Sequence, residues 1–110
     1  MRLVNRTPHT VNIIGEGFEL SIPGPDDPKD AARVAVEFEP AEGCGGAPTA
    51  YETFGEVYGL PAPHEGEVYI VSRVVAAAAS DRKDLLVPGS PVRGEAGKII
   101  GVAQLVWANR

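Results

Sequence analysis

Chemistry-bearing residues are scarce in this chain: 110 residues include one cysteine, two histidines and one tryptophan. A lone Cys44 closes no intrachain disulfide, so no secreted, disulfide-held scaffold is expected. His9, His64 and Cys44 lack zinc-ligand spacing, and the carboxylates form no D-x-D or E-x-x-H arrangement. There is no P-loop, no G-x-G-x-x-G and no G-x-S-x-G elbow. No cofactor or metal is therefore expected, and the residues lean away from catalysis. The longest unbroken apolar run, Val74 to Ala79, is six residues, against about 20 for a membrane span. Met1 to Asn5 reaches a polar residue too early for a signal peptide's apolar region. Basic residues are also few, 10 against 15 acidic ones, for a net charge of −5. That balance argues against duplex nucleic acid and anionic membranes as partners, while a few local arginines could still receive a small anion. These absences together point to a cytoplasmic protein.

Glycine and proline, by contrast, are plentiful: 13 and 10 residues. Such punctuation cuts the chain into short pieces and favours strands and turns over long helices. The length fits a single domain, residues 1–110. Surface scaling gives a folded area of about 5,800 Å² for this mass, with about 65% of the unfolded surface buried. A core of that size is modest, and a homo-oligomer is expected because uncovered strand edges need partners.

Val11 to Ile14 and Phe18 to Ile22 read as strands joined by a Gly15-Glu16-Gly17 turn. Arg33 to Glu39 alternates with period two, placing Val34, Val36 and Phe38 on one face. Pro40 to Pro48, with Gly43 to Gly46, reads as a flexible loop, and Tyr51 to Val57 as a strand. Glu67 to Val71 is a strongly apolar strand. Ser72 follows as an N-cap to a short alanine-rich helix, expected over about Ser72 to Ser80. Leu85 to Val87 is a buried-type strand ending at Pro88-Gly89, and Val92 to Trp107 a final hairpin. The sum is an α+β class: a compact, mostly-β domain of short antiparallel strands with one short helix packed on the sheet.

Two polar clusters stand out. Asn5, Thr7 and His9 lie around Pro8, where they could hold a ligand's hydroxyls or ring nitrogens, or simply satisfy turn backbone groups. Ser72 and Arg73 stand at a strand–helix junction that could receive an anion. Arg82 and Asp84 follow the helix, as phosphate contact and orienting carboxylate or as a local ion pair. Ser72, His9 and Asp84 could also be arranged as a hydrolase triad, although nothing in their spacing brings them together. Phe54 and Tyr58 read as core or interface, and Glu56 between them would need a partner if buried.

The segments N-x-T-P-H at 5 to 9, T-F-G-E-V-x-G-L-P at 53 to 61, V-Y-I-V-S at 68 to 72, R-x-D-L-L-V-P-G at 82 to 89 and V-R-x-x-x-G-x-I-I-G at 92 to 101 resemble a family of small bacteriophage, prophage and actinobacterial proteins. The resemblance covers about two thirds of the chain. It departs at Arg6, where an apolar residue is expected, and at the Gly43 to Gly46 loop, which looks like an insertion. It carries no catalytic role. A phage setting implies the host cytoplasm and suggests a sponge that sequesters a nucleotide-derived immune signal without altering it. In that expectation Asn5, Thr7, His9, Ser72, Arg73, Arg82 and Asp84 bind a small phosphate-bearing molecule. The alternatives are a protein–protein interaction module, such as an inhibitor of a host enzyme, and a small hydrolase using His9.

Overall fold

Two short apolar runs without polar alternation, Val68 to Val71 and Leu85 to Val87, form the centre of the molecule. In chain order the elements, in a computed structural model describing residues 1–110, are β1 (Arg2–Asn5), β2 (Val11–Gly15), β3 (Phe18–Ile22), a 3-10 turn (Pro28–Asp30), β4 (Arg33–Cys44), β5 (Ala47–Tyr58), β6 (Glu67–Ile70), α1 (Arg73–Ala78), β7 (Leu85–Arg93) and β8 (Ile99–Trp107). Six strands form one sheet in the order β1-β6-β7-β8-β2-β3, and β4 and β5 pair only with each other.

The sheet is mixed, which corrects the expectation of antiparallel strands alone. β1 runs parallel to β6, β6 to β7, and β2 to β8, while β7–β8 and β2–β3 are antiparallel. The cause lies between β6 and β7. The Ser72 side chain accepts from Val75 N–H and starts α1, which returns the chain so that β7 enters beside β6 in the same direction. Strands covered on both faces need apolar residues at successive positions, as Val68 to Val71 provides.

Side chains alternate between two cores. Tyr69, Val71, Leu85 and Val87 meet Val75, Ala76 and Ala79 on the helix side. Val68, Ile70 and Leu86 face the other way, onto Val11 and Ile13. The edges of the sheet approach each other at one end, where Asn5 Nδ2 at the close of β1 donates to the carbonyl of Ile22 at the close of β3.

Beyond this β-rich body lies an arm. β4 and β5 are each 12 residues, or about 40 Å at about 3.3 Å per residue. Pro40 to Pro48 is therefore not a loop, as the sequence suggests, but the outer half of a hairpin. Gly45 and Gly46 form its two-residue turn, both at positive φ as a type I′ turn requires. Prolines fit because each strand of an isolated pair has an open edge where an N–H is not needed. β7 likewise continues past Pro88 and Gly89 to Arg93, because β6 flanks only its first residues.

The arm is fixed at its root by Arg6. Its Nε and Nη2 donate to the carbonyl of Gly59 at 3.1 and 3.0 Å, and Nη2 also donates to that of Asp30. The Arg6 carbonyl accepts from Ala32 N–H. The outer arm has no such ties. Folded area is 7580 Å², about 1,700 Å² above scaling for the mass, and the radius of gyration is 16.4 Å against about 13 Å for a sphere-like chain.

Candidate functional site

The seven candidate residues fall in separate places. Asn5 is 4% exposed and is fully occupied. Its Nδ2 donates to the carbonyls of His9 and Ile22 at 2.9 and 2.8 Å, and its Oδ1 accepts from Thr7 N–H and Thr7 Oγ1 at 2.9 and 2.6 Å. Thr7 Oγ1 also reaches the His9 carbonyl. Both side chains fasten the 5–10 turn. His9 is exposed and borders a groove between β2 and β8 of about 440 Å³, together with Val11, Pro88, Ile99, Ile100 and Val102. Ser72 serves α1 as its cap.

Arg82 and Asp84 form a bidentate pair, Nε to Oδ1 at 2.8 Å and Nη2 to Oδ2 at 2.7 Å, and Nη2 also donates to the Pro61 carbonyl. The guanidinium stands 5.9 Å from the centre of the Tyr69 ring. The hydrogen bond from Arg82 holds the Asp84 carboxyl below its ordinary value, against the opposing effect of burial, and the same bond raises Arg82. A carboxyl whose pKa is lower in the folded state contributes stability above its unfolded value of about 3.9, and that stability is lost as pH falls through the folded value. Wild-type melting temperature is therefore expected to fall on acidification below about pH 4. Asp84→Asn should flatten that acid limb and cost about 1.5–3 kcal/mol at neutral pH, measured by thermal melts across pH. An identical acid limb in both proteins would contradict this assignment.

Arg73 is different. It is exposed, takes part in neither salt bridge of the chain, and borders a depression of about 270 Å³ floored by Ala76, Ala77, Val87 and Ala108. Gly89 lies beneath, where a Cβ would come within 2.6 Å of Val106 and 3.9 Å of Arg73 Nη2. Asn109 also borders it, and its Nδ2 donates to the carbonyls of Ala79, at the end of α1, and Arg82, in the turn that follows. Ser72, His9 and Asp84 share no hydrogen bond: the hydroxyl caps a helix, the carboxylate is paired with Arg82, and the imidazole stands at another groove.

The other feature with binding character is the arm. Register puts Val34 opposite Val57 and Val36 opposite Phe54, with Phe38 next along. A bulge sets Gly55 and Glu56 against Ala35 alone, so Phe54 and Val57 stay on one face despite their spacing of three. That face begins in the helix-side core at Val34 and Val57. Outward it loses its cover, with Val36 half-buried, Phe54 39% exposed and Phe38 68% exposed. The opposite face carries Glu37, Glu39, Tyr51 and Thr53. Glu56 is exposed and accepts from Tyr58 Oη, a bond that raises the Tyr58 phenol above its ordinary value. Sequence reading picked out Val34, Val36, Phe38 and Phe54 without placing them on an arm; the Gly45-Gly46 pair between two strand-like runs is the signal that could have.

Comparison with known protein families, characterised proteins and solved structures finds no match to this chain. No helix is long and apolar enough to cross a membrane.

Proposed function

We propose that the chain is a non-enzymatic interaction module whose binding element is the apolar face of the β4–β5 arm. The observation that carries this reading is the face running from Val34 through Val36 and Phe54 to Phe38, which continues the core beyond its cover. A two-stranded hairpin is marginally stable in water on its own, and a contiguous exposed apolar patch marks an interaction site. Ser72, His9 and Asp84 stand apart, which removes support from the hydrolase alternative built on them. Native mass spectrometry of the protein from cell lysate tests the reading. Wild type is expected in a complex, and Phe38→Asp/Phe54→Asp at the bare 11.6 kDa. Wild type found only at the bare mass would overturn it.

A second reading, sequestration of a small phosphate-bearing molecule in the manner of a phage sponge, draws its support from Arg73. Its unpaired guanidinium beside an apolar floor offers bidentate contact to a phosphate with room for a less polar group. Calorimetric titration with linear and cyclic nucleotides is the test. Arg73→Ala should weaken binding about 10- to 150-fold, by the energy of a charged hydrogen bond, without lowering the melting temperature. Heat of binding that is unchanged in Arg73→Ala would move the ligand elsewhere.

A further inference from the structure

We infer that the occupant of the arm's apolar face is a second copy of this chain, which receives the arm in its groove between β2 and β8. This rests on the interaction reading above and names its partner.

Charge determines which surfaces can meet. Residues 33–58 carry one arginine, Arg33, and five glutamates at 37, 39, 42, 52 and 56, a net of −4 out of the chain's −5. Two arms laid side by side would bring those glutamates together, an arrangement like-charge repulsion disfavours. The rest of the molecule is nearly neutral. Its β7–β8 turn places Lys98 directly before Ile99 at the groove, and Arg93 on the adjoining strand, its Nη1 donating to the Gly97 carbonyl. Both are exposed and neither is in a salt bridge.

Shape agrees with charge. The groove's 440 Å³ is open, with Val11, Ile99, Ile100 and Val102 as its apolar lining beside His9, Thr10 and Asn12, and Ile99 and Ile100 are 56% and 49% exposed. It has room for aromatic side chains such as Phe38 and Phe54, while Glu52, paired directly opposite Phe38 on the same face of the arm, is the carboxylate presented to cations at its mouth. One arm given and one groove filled makes two contacts per chain, whether two copies exchange arms or several close a ring.

The test is sedimentation of purified protein at micromolar concentration, first for each variant and then for mixtures. Phe38→Asp/Phe54→Asp and Ile100→Asp should each weaken self-association at least about 30-fold, as loss of a central apolar anchor does. Mixing the two variants should restore a complex, because the intact arm of one fits the intact groove of the other. Lys98→Glu, a surface change, should weaken assembly as well, and Glu52→Lys should recover it. These charge variants report even where Ile100→Asp fails to fold. Assembly that depends on the arm but not on Ile100 or Lys98, or that mixing does not restore, would overturn the groove as receptor. A wild-type chain that is monomeric when pure yet found in a complex in lysate would overturn the second copy as occupant while leaving the interaction reading in place.

Discussion

Asn5→Ala is expected to unfold much of the molecule's margin, lowering stability by about 3 kcal/mol or more. Removing the amide leaves the Ile22 carbonyl and the Thr7 N–H without their partner, while the His9 carbonyl keeps only Thr7 Oγ1, and each unsatisfied buried group costs about 1–3 kcal/mol. A domain of this length has about 5–15 kcal/mol in total, and only 16 residues are buried here, which puts the chain toward the lower end. About 4–8 °C per kcal/mol converts the loss to a fall of 12 °C or more, roughly. Asn5→Asp is nearly isosteric yet should be at least as damaging at neutral pH. It replaces two donors by an anion facing two carbonyl oxygens, and protonation in acid should recover part of the loss. Melting curves of the three proteins, with Asp near wild type at pH 7, would show the side chain to be idle.

Gly59→Ala is expected to loosen the arm from the body. Gly59 has φ +77°, and an added Cβ would lie 2.4 Å from the Ala31 carbonyl oxygen and 3.0 Å from its carbon. Both obstacles are backbone, so relief means moving the chain that enters β4. Left-handed φ alone costs a non-glycine residue about 1–2 kcal/mol, and displacement of the Gly59 carbonyl also takes away the acceptor of Arg6. We expect a total of about 3 kcal/mol, with hydrogen exchange rising first at residues 31–34 and 57–59. Uniform exchange with an unchanged melting temperature would mean the arm is not held there.

Local chemistry was legible where neighbours in sequence decide the outcome. The β2–β3 hairpin, the Ser72 cap, the alanine helix and the β7–β8 hairpin all follow from turn residues and periodicity. Parallel pairing was not, because β1 meets β6 and β2 meets β8 across most of the chain. The apolar runs at Val68 to Val71 and Leu85 to Val87, with a helix between them, did hold the β–α–β signature. Prolines misled in the arm and in β7, where open edges make them harmless. Of the site, residue types were legible and proximity was not. Asn5 and Thr7 in one turn and Arg82 beside Asp84 are explained by local bonding, whereas Arg73 and His9 stand at different depressions. Arg6, standing where an apolar residue is expected, makes sense only once the arm's root is seen beside it.

Photo-cross-linking from position 38 tests the central claim most directly. With a benzophenone amino acid in place of Phe38, the arm's most exposed aromatic, irradiation of lysate should convert the chain to a covalent adduct that vanishes when Phe54→Asp is added. An adduct at twice 11.6 kDa identifies a second copy, and one of another mass identifies a different protein on the same face. A chain that stays at its own mass under irradiation would contradict the account.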